Sequence, residues 1–593
     1  MKQSNIAKRW DLLPYQEALR PSRDQNVEFA VIATYSLDLP SLASALLALS
    51  RQDDDKASGT PVGLVTAVNR LRGRFRILHQ KGRLLRPSRI PRMAPILDQF
   101  RYEVSTGSRH SSWHPKAFLI KLKGNNQTQW RFWLGSKNLT SDESWDFGLL
   151  LASHPLNKGL HIPGIVEAAL EMVRRSELPA VSVNAVRRQL EETTWQIPNG
   201  VSIKEVRWLD SSSRSYPEVP SNSSKVYVVS PFLDSKTLKH FASHGGQRLL
   251  LSLDCEVSRL ATESPESLTA YAGGIHGMAK PTDDIEPNEA NSDELDPPDS
   301  LHAKLFYIEA AKRRVLWVGS SNATSRGLTG PNIEVVARLE LSPELALGME
   351  NFIRSQRLLD LQTIPRTEES KSDRLKRELE AFREEFLLKY RLVQQRTAES
   401  LEIVISPQLE IPNRLIIRMA TLLGDLKTCP NGANSLLFPA VALHELSDLI
   451  QVQIELEEET LSWLQTAPLS PPIDETRDDA VIRKNLTLPE RFAFLRLILD
   501  GVPAGEGRSW DEDAKLHGRS QLYEGLLTPL PTLEQILKAD RLQLTAFSKS
   551  FRTYFEKQEW TKSEISPKDL QLLSEFESMW ATVEAALVTE EKV

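Results

Sequence analysis

Two short motifs recur in this 593-residue chain. The first copy has His114 and Lys116, then Gly135, Ser136 and Asn138. The second has His302 and Lys304, then Gly319, Ser320 and Asn322. On an extended strand, residues two apart point to the same side. Each copy would then present an imidazole, an ammonium, a hydroxyl and an amide to one spot, and two copies facing each other would double that set. Such a set suits a phosphodiester. One imidazole can attack phosphorus to give a covalent phosphohistidine. A second, protonated, can supply the proton that the leaving oxygen needs. Two lysines and two asparagines can hold the non-bridging oxygens. No carboxylate cluster suggests a metal, and no cofactor is implied. A lone His-x-Lys arises easily by chance; two, each followed by Gly-Ser-x-Asn, single the pattern out.

The elements that must position these motifs also recur. Phe29 to Asp38 (FAVIATYSLD) and Val226 to Asp234 (VYVVSPFLD) are apolar, β-branched runs that read as buried strands. Arg74 to Gln80 and Gln247 to Asp254 follow as further strands. The two motif strands then close each copy in the same order. This predicts an α/β fold made of two related halves, residues 1–205 and 206–365. The second half carries an acidic, Pro-rich loop at about 258–300, with little capacity to fold alone. Apolar residues at helical spacing between Leu375 and Val393 predict a connector helix within 366–400. Strand-like runs predict an accessory β-containing domain over 401–470, and a helical region fills 471–593.

The paired motifs resemble those of the phospholipase D superfamily, whose members carry two HxK…GSxN motifs on a pseudo-twofold α/β/α sandwich. The resemblance covers about residues 25–345. It implies that His114 is the nucleophile and His302 the general acid, with Lys116, Ser136, Asn138, Lys304, Ser320 and Asn322 completing one catalytic site. The family's Asp five residues after the lysine is absent; Lys121 and Glu309 stand there. Glu309 could substitute and Lys121 could not, which resembles the tyrosyl-DNA phosphodiesterase branch. A histidine still needs an orienting partner. The family's acidic residue downstream of GSxN is matched by Glu334, in Asn332-Ile333-Glu334, and more loosely by Asp146, so these two are expected to orient the histidines.

The substrate is not decided by such a fold. Net charge is −6, so any nucleic-acid site must be a local patch. One basic run qualifies: from Arg70 to Arg92 there are nine Arg or Lys and no Asp or Glu. Arg70, Arg72, Arg74 and Arg76 alternate and would line one strand face, with Lys81 and Arg83 beyond, as a stripe for a phosphate backbone. The expectation is a nuclease, DNA favoured over RNA. The alternatives are a phospholipase or other phosphodiester hydrolase, and a catalytically silent nucleic-acid-binding subunit. The size and motif-free C-terminal third resemble bacterial PLD-like nucleases that act with a helicase or ATPase in anti-phage defence, and the chain has no phosphate-binding GxxxxGK[ST] loop of its own. Two cysteines, no apolar leader and no membrane-spanning run fit a cytoplasmic protein without a membrane partner. Both half-sites lie in one chain, so no oligomer is required to complete the site.

Overall fold

The computed structural model describes residues 15–589, except 52–58, 125–126, 143, 157, 211–215, 279–299, 365–369, 475, most of 488–540, and 555–566. The fold is mixed α/β, with several sheets and helices. Two large sheets dominate and share one strand plan. In the first, Gln25–Thr34 runs parallel to Phe75–Gln80 and antiparallel to Ala117–Gly124, with Thr128–Gly135 and Gly148–Ala152 following antiparallel. In the second, Ser223–Val229 runs parallel to Gln247–Leu253 and antiparallel to Leu305–Ala310, with Arg313–Gly319 and Glu334–Leu341 following. The second sheet is longer by two strands, Val201–Leu209, paired with Glu334–Leu341, and Arg357–Leu358, paired with Ile275–Met278. The first of these spans residue 206, so the second sheet takes in chain from before the expected boundary.

The apolar runs are continuous because both faces of each central strand are covered. Along the first strand, Ala30 and Ile32 join one core with the helices Leu39–Ser50 and Pro61–Leu71. Phe29, Val31 and Ala33 point the other way, into a core shared with Tyr227, Val229, Leu305 and Val318 of the second sheet. Val226 and Val228 face a further core with the helices Ser235–Phe241 and Asp254–Glu263. The layers are therefore helices, sheet, shared core, sheet, helices.

The loop expected at about 258–300 is largely structured where it is described. The helix Asp254–Glu263 buries Val257 and Leu260, and Ile275–Met278 adds a parallel strand beside Gln247–Leu253. These apolar residues outweigh the Pro-rich composition that follows, and 279–299, the acidic stretch itself, lies outside the described residues.

The helix Lys371–Lys389 is part of the third unit rather than a connector. Its Leu375, Leu379 and Phe386 pack with Ile403, Met419, Val452 and Trp463 in one core. That unit continues a five-stranded sheet through Glu459–Thr466 into Leu84–Leu85 of the first half. The C-terminal helices also dock on the first half: Val481, Ile482, Phe547, Phe576 and Trp580 join the core of Leu46 and Ile96. A buried ion pair fixes this contact, with Arg477 donating through Nη1 and Nη2 to the two oxygens of Asp98, each at 2.9 Å.

Candidate functional site

The four motif segments lie just outside regular strands. His114 to Lys116 precede Ala117–Gly124, and Ser136 to Asn138 follow Thr128–Gly135. The second copy repeats this around Leu305–Ala310 and Arg313–Gly319. The glycine ahead of each serine is required by close approach. A Cβ on Gly135 would stand 2.2 Å from the Phe147 carbonyl oxygen, and one on Gly319 would stand 2.2 Å from that of Val335.

Each histidine is oriented by the opposite half. His114 Nδ1 lies 2.9 Å from Glu334 Oε2, and His302 Nδ1 lies 2.8 Å from Asp146 Oδ1. The backbone repeats the crossing. His114 N donates to the Ile333 carbonyl at 3.0 Å, and His302 N donates to that of Trp145 at 2.8 Å. The residue before each carboxylate thus holds the histidine that the carboxylate orients.

The two serines do not face the common spot that strand alternation suggests. Ser136 Oγ donates to Asp146 Oδ1 at 2.7 Å and accepts from Phe147 N at 2.9 Å. Ser320 Oγ donates to Glu334 Oε2 and accepts from Val335 N at 3.0 Å. Both hydroxyls are spent on fixing the carboxylates. Lys116 Nζ sits 3.1 Å from His114 Nε2, and Lys304 Nζ donates to the His302 carbonyl. The side-chain oxygens of Asn138 and Asn322 are buried without a hydrogen-bond partner among the described residues.

Burial governs the electrostatics. It lowers both histidines to about 4, against the upward pull of Glu334 and Asp146. It lowers Lys304 to about 8 and takes Lys116 well below its ordinary range. Burial also pushes the Asp146 carboxyl up, but the hydrogen bond and charge of His302, with Lys137 and Lys304, outweigh it and bring that group to about 2. At neutral pH both imidazoles are therefore uncharged. With the carboxylates accepting at Nδ1, the proton stays there and each Nε2 keeps its lone pair. An anion entering would favour the charged forms of the lysines and histidines alike.

Three residues outside the repeated motifs also contribute. Tyr35 stands with its ring 4.9 Å from that of His114, with Lys116 and Arg83 over its faces at 5.6 and 5.1 Å. Asp38 caps the helix Leu39–Ser50 through Ser41 N and accepts from Ser141 N at 2.7 Å, which anchors the chain beyond Asn138. Asp234 does the same through Thr237 N and Ser325 N beyond Asn322. Both are legible in the sequence, since each ends its repeated run at the N-cap of the helix that follows.

Other expected residues are placed elsewhere. Glu309 accepts from Tyr307 OH at 2.7 Å on Leu305–Ala310, away from the histidines, so it is no substitute for the missing Asp. Lys121 pairs with Glu28 at 2.6 Å. The arginines do not form one strand face. Arg70 ends the helix Pro61–Leu71, Arg72 caps it, Gly73 turns at φ 68°, and only Arg76 lies on the strand Phe75–Gln80. Much of the run binds the protein itself. Arg72 pairs with Asp478 at 2.5 Å, Arg76 donates to the Gln99 carbonyl, Lys81 to that of Leu387, and Arg83 reaches Glu380 at 3.0 Å. Arg74 is exposed.

Among the described residues, no group of three or more His, Cys, Asp or Glu could hold a metal ion, and no helix is long and apolar enough to cross a membrane. No protein-family model matches the chain, and no curated protein matches it. Among solved structures, it is similar to the crystal structure of polyphosphate kinase from Porphyromonas gingivalis, at 12% identity and a TM-score of 0.29. That match covers 57% of this chain and 44% of the other, less than half its length, and at that score carries no weight for fold or function.

Proposed function

We propose that the chain is a phosphodiesterase of the phospholipase D type, acting on nucleic acid through a phosphohistidine. The observation that supports this best is the crossed pair of carboxylate-held imidazoles, His114 with Glu334 and His302 with Asp146, beside two buried lysines. In this reading His114 Nε2 attacks phosphorus and forms the N–P bond while the P–O bond to the leaving group breaks. His302, protonated once the diester's negative charge is in place, gives its Nε2 proton to that oxygen. A water then attacks the phosphoenzyme, His302 takes its proton, and His114 leaves as neutral imidazole. Lys116, Lys304, Asn138 and Asn322 hold the non-bridging oxygens, whose charge shifts during both steps. Every donor the two steps need is a side chain of this chain.

Cleavage of labelled single- and double-stranded DNA and RNA in excess EDTA, wild type beside His114→Ala, tests the reading. Cleavage that the variant lacks is the expected result. Cleavage that survives in His114→Ala sinks the mechanism. Salt-sensitive binding with no cleavage of any diester would favour the silent binding subunit instead, and turnover confined to phospholipid would favour the lipase.

A further inference from the structure

Two cavities beside the site share part of their walls and form one groove between the first half and the third unit. The inner part is lined by Tyr35, whose ring meets that of His114, and by Arg83 and Arg109. The outer part is lined by Lys389 and Arg391, from the end of the helix Lys371–Lys389 and the strand that follows it. Lys81 and Leu388 belong to both. Eight Arg or Lys and four Asp or Glu line the two parts together, in a chain whose acidic residues outnumber its basic ones. Of those acids, Asp98 is already paired with Arg477, Glu103 with Arg101 and Glu384 with Arg83.

We infer that this groove is the track of a single nucleic-acid strand leading to His114. The inference rests on the phosphodiesterase reading for its chemistry and adds the substrate's path. A line of Arg and Lys side chains running from the reacting imidazole into a cleft suits a chain of phosphates, whereas a small diester needs none of it. The groove tapers from about 630 Å³ in its outer part to about 40 Å³ beside Tyr35, a shape that favours one strand over a duplex. Leu388 is 45% exposed and gives the bases an apolar face. Glu380 and Glu384 sit on Arg83, and Glu385 on Arg109. These pairs are partly solvated and weak, and phosphates replace the carboxylates as the strand enters.

The test is fluorescence anisotropy of labelled 20-nucleotide single strands of DNA and RNA, in EDTA, with the full-length chain carrying His114→Ala throughout, so that the strands stay intact, with and without Lys389→Gln/Arg391→Gln. The double variant should bind about tenfold more weakly at low salt, and its plot of log affinity against log salt should be shallower by about 1.4 for the two charges removed. Arg391→Gln alone guards against a folding defect, since Lys389 also pairs with Glu410; it should show about half the change in slope. Equal affinity and slope in the His114→Ala parent and in both groove variants built on it would overturn the groove. Hydrolysis of bis(p-nitrophenyl) phosphate by the wild type, measured in parallel, reports on the chemistry alone: turnover with unchanged strand binding rejects the track and keeps the phosphodiesterase, and altered strand binding without turnover does the reverse.

Discussion

Glu334 reaches His114 from the other half of the molecule, 2.9 Å from Nδ1, while Asp146 makes the reciprocal contact with His302 at 2.8 Å. The backbone bonds from His114 N to Ile333 and from His302 N to Trp145 run in the same crossed sense. Orientation of either imidazole is therefore a property of the joined halves.

Glu334→Gln and Asp146→Asn should each lower kcat/KM toward a chromogenic diester by about 10²-fold or more, because an amide can present its N–H and favour the wrong tautomer. Thermal stability should change far less than activity. A variant with wild-type kcat/KM would show that its carboxylate does not set the tautomer.

His114→Ala and His302→Ala should differ in kind. Without His302, attack on a good leaving group such as p-nitrophenol needs no proton, so the phosphoenzyme should still form and then persist. General acid–base assistance is worth about 10²–10⁴-fold, and that loss should fall on hydrolysis of the intermediate. Acid-labile, alkali-stable label on protein from a radioactive diester measures it. Label in His114→Ala with none in His302→Ala would reverse the two roles.

Stability should fall as the solution is acidified from pH 6.5 toward 4. Both histidines titrate near 4 in the fold because burial disfavours their charge, and near 6.5 when unfolded. Between these values the unfolded chain binds more protons, so each imidazole's contribution is complete above 6.5 and is lost on the way to 4. The shift corresponds to on the order of 3 kcal/mol per histidine. Melting temperatures across this range should decline less steeply in His114→Asn/His302→Asn than in wild type. Parallel curves would place the titrating groups elsewhere.

Arg477→Ala should destabilise the chain by about 3–5 kcal/mol, since it strands Asp98 in a buried site. Asp98 also accepts from Ser447 Oγ at 2.9 Å, so the damage should extend to the third unit. Denaturant unfolding followed by tryptophan fluorescence reads the effect. A loss under about 1 kcal/mol would mean that solvent reaches the pair.

The site was legible in proportion to its repetition. His114, Lys116, His302 and Lys304 stood out because two copies share spacing, and the structure brings them together. Asp146 and Glu334 were visible as acids downstream of GSxN, but nothing in either copy tells which histidine each meets. That depends on how the two sheets pack, through side chains such as Val31 and Val229 that look alike in any buried strand. Ser136 and Ser320 were misjudged because GSxN lies past the strand end, where alternation no longer sets direction. The arginine run was misjudged more fully. Its every-second spacing imitates a strand, yet the helix Pro61–Leu71 runs through Arg70 and a turn at Gly73 breaks the register. Its partners Asp478, Glu380 and Leu387 are remote in sequence, so local reading had no means to find them.

The crossed pairing also bears on symmetry. A strict twofold arrangement of two identical halves would give both imidazoles the same carboxylate and the same surroundings. With both halves in one chain, the two sides are separate sequence positions, and the pair here is unequal, a short acid from one side and a longer one from the other. The single chain thus has what a symmetric dimer lacks, a fixed left and right that can hold separate attacking and proton-donating roles.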